Sequence, residues 1–113
     1  MAIKAGKLRH RVTLQAPGLV QDPVTGEMLP GWTDFASVWA SIEPLSTREF
    51  IAASAGQSEV TARIVIRYRD GLDSTMRAIH RGKIYEFAGP PLADPNSGLE
   101  YLTIPAKEGV RDG

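Results

Sequence analysis

The feature that most constrains the fold is a run of strict alternation between residues 60 and 68. Apolar side chains occupy every second position: Val60, Ala62, Ile64, Ile66 and Tyr68. A period of two places successive side chains on opposite faces of a β-strand, and β-branched residues favour that conformation. The sequence therefore predicts a strand whose apolar face joins the core and which ends at the turn residues Asp70 and Gly71.

The opposite face of this strand carries three arginines, Arg63, Arg67 and Arg69. Their spacings of four and two residues correspond to about 13 and 7 Å along a strand. Three interpretations fit them: one positively charged surface, pairing with acidic residues of a neighbouring subunit, or simple exposure to solvent. Because the chain is neutral overall, pairing between subunits is slightly favoured.

The charges are segregated along the chain although they cancel. The net charges are +4 for residues 1–15, −5 for 16–59, +4 for 60–83 and −3 for 84–113. A neutral protein is a poor general binder of nucleic acid, because non-specific affinity comes from neutralising phosphates. Segregated charge instead suits contacts between copies of one subunit, or one positively charged surface.

The chain has 113 residues, which fits one domain with a modest core, here predicted over 1–113 with flexible termini at about 1–6 and 106–113. It contains no cysteine, which excludes disulfides and cysteine-based zinc sites. No apolar run approaches the roughly 20 residues of a membrane span, and the first residues lack the apolar segment of a secretory signal. We expect a soluble intracellular protein without membrane association.

A capping box predicts the single helix. In the segment Ser46 to Glu49 the serine hydroxyl can accept from the Glu49 amide while the Glu49 carboxylate reaches back. Gly56 is placed to end the helix, which gives Thr47–Ala55. So short a helix must pack on something, either the end of a barrel or a neighbouring subunit. The candidate subunit-interface residues are Ser46, Arg48, Glu49, Phe50, Ile51 and Ala53.

Alternation predicts further strands at residues 8–15, 35–42 and 99–104, and a hairpin of 75–80 with 83–87. Residues 16–31 are rich in proline and glycine, which predicts a loop with a turn at 22–26, and 105–113 are predicted as a polar tail. Five to six short strands with one helix near 46–56 predict a mainly β fold, either a small antiparallel barrel or a sandwich. The predicted core residues are Val12, Leu14, Val38, Ile64, Ile66, Tyr68 and Ile84.

Residue patterns of catalysis are absent from the sequence. There is no phosphate-binding loop, nucleophile elbow or His-Glu-x-x-His motif. His10 and His80 are the only histidines and lack a flanking carboxylate pattern, which makes a weak metal site. Glu43 and Glu49 are better explained by a strand end and the capping box. We therefore predict neither enzyme activity nor a cofactor or metal.

The order of short motifs along the chain is similar to that of one protein family. The motifs are residues 6–15, 22–26, Trp32, 38–49, 63–72, 76–85 and the strand from Leu99. Their succession resembles the tailed-phage head–tail joining proteins, also called head closure, stopper or head-tail connector proteins. The segment 105–108 departs somewhat from the last strand of that family, which affects only the C-terminal boundary.

The resemblance implies a structural protein of the virion neck, encoded by a phage or prophage and assembled in the host cytoplasm. It implies a small β-barrel that forms a ring of about six or twelve copies. The ring would have the portal-bound adaptor above it and the tail terminator or tail tube below it. It would surround packaged double-stranded DNA without sequence specificity, extend and close the exit channel, and provide the docking face for the tail. In such a ring Arg63, Arg67 and Arg69 are candidates for lining the channel along a path of DNA phosphates, without base recognition.

Two alternatives remain open at this point. One is another small neck or tail-end ring protein, either a tail terminator or an adaptor; an adaptor would be mostly helical, and only one helix is predicted. The other is a nucleic-acid-binding module similar to an OB-fold, in which Arg63, Arg67 and Arg69 would supply charge and Trp32 or Trp39 would stack on bases.

Overall fold

The computed structural model describes residues 8–56 and 60–109, and within them the chain forms seven strands and one helix. The elements are β1 His10–Gln21, β2 Met28–Pro44, α1 Thr47–Ala55, β3 Ala62–Arg67, β4 Arg77–His80, β5 Lys83–Phe87, β6 Leu92–Ala93 and β7 Tyr101–Glu108. The prediction of a mainly β fold with one short helix is therefore confirmed. This helix is not long and apolar enough to cross a membrane, and the described residues contain no other.

All seven strands belong to one antiparallel sheet in the order β3-β2-β1-β4-β5-β7-β6. An additional pairing of β3 with β7 joins the sheet into a closed cycle of six strands. One edge of β7 pairs with β3. Along its other edge, β6 pairs with the beginning of β7 and β5 with its end. We call this closed cycle of six strands the barrel, because its connectivity is that of the small barrel, one of the two predicted architectures.

The core lies inside this closed sheet. Six large side chains are at most 2% exposed: Val12, Leu14, Ile64, Val65, Ile66 and Ile104. Ile84 is buried as well, and Val38 is half-buried against the core. The assignment of Tyr68 to the core is wrong, because its side chain is 36% exposed. It follows the end of β3, and its hydroxyl donates to Asp70 Oδ1 at 2.6 Å.

Residues 16–31 form a hairpin rather than the predicted loop. The two long strands continue to pair beyond the barrel, from Ala16 opposite Thr33 to Gln21 opposite Met28. The predicted turn at 22–26 is present, closed by the Gly26 amide donating to the Asp22 carbonyl at 2.8 Å. We call residues 16–34 the arm. Over this length neither strand pairs with a third, since β4 pairs with β1 only at 13–15 and β3 with β2 only at 40–44.

The last strand is longer than predicted. It continues to Glu108, and Ala106 is fully buried, so the predicted tail from 105 and the flexible boundary at 106 are wrong. Residues 1–6 and 110–113, the remainder of the predicted flexible termini, lie outside the described residues. The predicted hairpin of β4 and β5 is present, and Arg81 and Gly82 both take positive φ, 50° and 81°, as a two-residue turn of this kind requires.

Candidate functional site

The predicted capping box holds the start of helix α1. The Glu49 amide donates to Ser46 Oγ and the Ser46 amide donates to Glu49 Oε1, each at 3.2 Å. Just before the helix, the Leu45 amide donates to the Thr61 carbonyl at 3.0 Å. The helix is thus fixed at its first turn, close to the beginning of β3.

Arg63 fixes the same turn from the barrel side. Its Nη1 donates to Glu49 Oε2 at 2.5 Å. This hydrogen bond, helped by the Ser46 amide, lowers the pKa of Glu49 from 4.5 to about 2, and the pKa of Arg63 is raised in return. Arg63 therefore contacts helix α1, which distinguishes it from Arg67 and Arg69, the other two arginines predicted on its strand face.

The rest of the helix surface is open. Phe50 is 45% and Ile51 62% exposed, and the side chains of Ser46 and Arg48 are exposed as well. The side chain of Ala53 lies outside the described set. Neighbouring exposed apolar side chains are compatible with an interaction surface. The assignment of these residues to a subunit interface stays a prediction.

Arg67 and Arg69 line an open cleft with a volume of about 540 Å³. Its wall consists of Leu8, Arg11, Ser37, Val38, Trp39, Arg67, Tyr68 and Arg69, and we call it the arginine cleft. Arg63 and Arg67 do not form a continuous exposed row on their strand face, because the buried Val65 lies between them on the same face of β3.

Within the lining of the arginine cleft, a tryptophan lies between two arginines. Arg11 pairs across the sheet with Trp39, and its guanidinium lies 5.2 Å from the indole centroid. Continuing the register of Ala40 opposite Ile66 places Arg67 beside Trp39 on the other side. Trp39 is 54% exposed, so this row presents both positive charge and apolar area to a partner.

A β-bulge shapes the junction of the arginine cleft and the arm. The pairing of β1 with β2 shifts between Leu14 and Gln15, which leaves Phe35 as the extra residue. Phe35 lies against the turn at Gly71, and the Arg69 guanidinium lies 5.6 Å from its ring centroid. Bulges bend a strand and increase its twist, so Phe35 sets the direction in which the arm leaves the barrel.

Arg77 connects the root of the arm to the barrel. Its Nε donates to Gln15 Oε1 at 2.8 Å, and its guanidinium lies 4.2 Å from the Trp32 ring centroid. Gln15 Nε2 in turn donates to Asp34 Oδ1 at 2.9 Å. The interactions of Arg77 and Arg11 were missed in the sequence, because a cross-strand contact becomes visible only once the register is known.

The described part of the chain contains no group of side chains that could hold a metal ion. No three histidine, aspartate or glutamate side chains there are arranged to hold a metal ion. His10 and His80 meet edge to face with centroids 4.9 Å apart, and His80 Nδ1 lies 3.1 Å from the Arg11 carbonyl. These contacts explain the two histidines structurally.

A family model described as "Phage head completion protein" matches residues 3–109, nearly the whole chain. The chain belongs to the phage head completion protein family. Members of this family are structural components of phage particles and are not normally enzymes, which agrees with the resemblance to head–tail joining proteins.

Two curated relatives carry the same description. The head completion protein gp16 of Bacillus phage SPP1 is 37% identical over 78 residues, covering 68% of this chain and 70% of that protein. The head completion protein gp7 of Enterobacteria phage HK97 is 27% identical over 106 residues, covering 88% of this chain and 94% of that protein.

Solved structures share the fold. Protein SF1141 from Shigella flexneri 2a superimposes with a TM-score of 0.74 at 33% identity, covering 97% of this chain and all of that one. A chain of the native gene transfer agent virion superimposes with a TM-score of 0.54 at 18% identity, covering 90% of this chain and 96% of that one, and this match supports the fold alone.

Proposed function

We propose that this head completion protein forms a ring in the neck of the virion, below the portal and its adaptor. The ring extends the DNA exit channel, closes it after packaging, and offers the docking face for the tail. The family membership supports a role at the completion of the head. The ring, its copy number of about six or twelve and its neighbours follow from the resemblance to head–tail joining proteins.

One structural observation carries the proposal of assembly: helix α1 is fixed at one end and uncovered elsewhere. The capping box and the Glu49–Arg63 ion pair hold its first turn, while Phe50 and Ile51 remain exposed. An isolated nine-residue helix is marginal in water. The helix would be stabilised if a neighbouring subunit covered its exposed apolar side chains, because their burial removes apolar surface from water.

The barrel supplies the rigid frame that a ring subunit needs. Its six strands pair in a closed cycle around the core. The arm and α1 lie outside this cycle, and the arginine cleft is on its surface. The positive charge of Arg67 and Arg69 suits either a channel that holds DNA loosely or a contact between subunits.

The decisive experiment uses DNA-filled heads assembled without this protein. Purified protein added to such heads should bind them, protect the packaged DNA from added nuclease, and restore tail attachment; cryo-electron microscopy of the neck should show it as a ring below the adaptor. The proposal is contradicted if the protein binds heads, but heads without it accept tails and retain DNA as well as heads that carry it. A location at the far end of the tail would identify a tail terminator instead.

The arginine cleft also gives a nucleic-acid-binding module some support. Trp39 between Arg11 and Arg67 combines a stacking surface with positive charge, as single-strand binders do. The neutral net charge argues against it. Tight binding of short DNA by the isolated protein, weakening steeply with added salt, would favour this second function.

A further inference from the structure

We propose that the arm of one subunit inserts into the arginine cleft of a second copy of this chain. The inference rests on the proposed ring, and it names the two surfaces that meet there. Both surfaces belong to every subunit but differ from each other, so the contact is head-to-tail. Repeated head-to-tail contacts generate a ring when the rotation between subunits closes.

The arm has the properties of an interaction surface: it is a projecting two-stranded hairpin with exposed apolar side chains. Beyond the barrel, six residues of each strand pair only with each other, so the ribbon projects by about 20 Å. A two-stranded ribbon alone is at best marginally stable in water. Its apolar side chains nevertheless face solvent: Leu19, Val20, Val24, Met28 and Leu29 are all exposed, with Val24 at 89%.

Charge identifies the occupant of the arginine cleft. Three arginines line the cleft, and no carboxylate of the described residues forms an ion pair with any of them. The arm carries Asp22, Glu27 and Asp34, and the sequence has no lysine or arginine between residues 16 and 47. Asp22 and Asp34 already accept hydrogen bonds within the hairpin, which leaves Glu27 as the acid offered to a partner.

Apolar complementarity points to the same pairing. The arginine cleft presents Trp39, Leu8 and Val38 between its arginines, and the arm presents Val24 and Met28 beside Glu27. Residues 1–7 directly precede Leu8, but they contain Lys4 and Lys7 and no acid, so they do not complement the cleft. A second copy provides both the negative charge and the apolar surface.

Cysteine cross-linking tests the contact directly, since the chain has no cysteine of its own. Val24→Cys marks the arm, and Ser37→Cys marks the arginine cleft. The double variant, oxidised on heads and separately as concentrated purified protein, should give a ladder of disulfide-linked oligomers. Neither single variant should give the ladder, nor should the matched control that combines Val24→Cys with Asn96→Cys, an exposed position outside the cleft.

A charge exchange gives an independent result. Arg69→Glu should lower the amount of protein bound to heads by about tenfold or more, because it places like charges in contact. Adding Glu27→Arg should recover most of that loss. Arg69 is exposed, so the circular dichroism spectrum and melting curve should stay those of the unsubstituted protein.

The outcomes separate this inference from the proposed function. Protein that binds heads and completes them, yet gives no ladder and is unaffected by Arg69→Glu, overturns the inference and leaves the ring standing. A ladder in solution from protein that never binds heads supports the contact and overturns the role in the neck. If Arg69→Glu impairs only DNA retention and leaves the ladder intact, the arginine faces phosphate and the charge pairing with Glu27 is wrong.

Discussion

Arg63 Nη1 and Glu49 Oε2 lie 2.5 Å apart and join strand β3 to helix α1. The same carboxylate accepts the Ser46 amide through its other oxygen, so one side chain both caps the helix and attaches it to the barrel. Glu49 thus gives helix α1 a direct side-chain link to the barrel.

The first prediction concerns pH. The pKa of Glu49 falls from 4.5 to about 2 on folding, so its contribution to stability is complete above about pH 4.5 and is lost as the pH falls towards 2. Glu49→Gln should therefore melt at a lower temperature than the unsubstituted chain at pH 6, and this difference should shrink below pH 4.5. Glu86→Gln, which removes an exposed ion pair with Lys107 at 3.6 Å, is the control and should show little effect. A difference that grows on acidification would contradict the assignment.

The second prediction concerns the helix cap. Ser46→Ala removes the hydroxyl that accepts the Glu49 amide and should destabilise the helix by about 0.5–2 kcal/mol. Because α1 lies outside the core, amide hydrogen exchange of residues 50–55 should accelerate while the core strands stay protected. Thr47→Ala is the neighbouring control. Equal acceleration in β3 would show that the helix unfolds only together with the barrel.

The third prediction compares two isoleucines. Ile64 is fully buried, so Ile64→Ala should cost about 2–5 kcal/mol in urea unfolding through lost burial and the cavity left behind. Ile51 on the exposed side of α1 provides the same chemical change at the surface, where Ile51→Ala should stay within about 0.5 kcal/mol. Similar costs at both positions would mean that the helix is packed more tightly than its exposure indicates.

The fourth prediction separates assembly from folding. Phe50 is exposed, so Phe50→Asp should leave the melting temperature nearly unchanged. If α1 contacts a neighbouring subunit, the same change should abolish binding to heads, measured by co-sedimentation, because it places a charge in an apolar contact. Phe50→Leu keeps the apolar surface and should bind. Normal binding by Phe50→Asp would exclude this side of the helix from the interface.

The sequence predicted the elements whose signals are local. The capping box determines where α1 begins, and the two-residue spacing at Arg81-Gly82 determines the turn between β4 and β5. Both depend on residues a few positions apart. The period-two pattern also identified Ile64 and Ile66 as inward-facing, because alternation is a property of the strand itself.

The arm and the arginine cleft depend on partners that are distant in sequence. Proline and glycine at 17, 18, 30 and 31 gave the appearance of a loop, yet Gly18 lies opposite Gly31 in a regular ladder. The cleft brings Arg11 and Arg67 to either side of Trp39, which only the strand order reveals. Alternation failed at Tyr68 because β3 ends at Arg67, after which the backbone no longer dictates the face.

Two of the three prolines of the arm, Pro17 and Pro30, occupy paired strand positions, which has a consequence for the free chain. Pro17 pairs with Trp32 and Pro30 with Leu19. The Asp22 amide donates to the Glu27 carbonyl at 2.8 Å, and hydrogen-bonded and non-hydrogen-bonded pairs alternate along an antiparallel ladder. The pairs of the two prolines lie five and three residues before this hydrogen-bonded pair, so their backbone groups point away from the partner strand. An open row of backbone donors is a template for uncontrolled strand addition and aggregation. Proline has no N–H to offer there. Each outer edge of the arm therefore lacks one donor, which lowers the tendency of the free chain to add strands edge to edge.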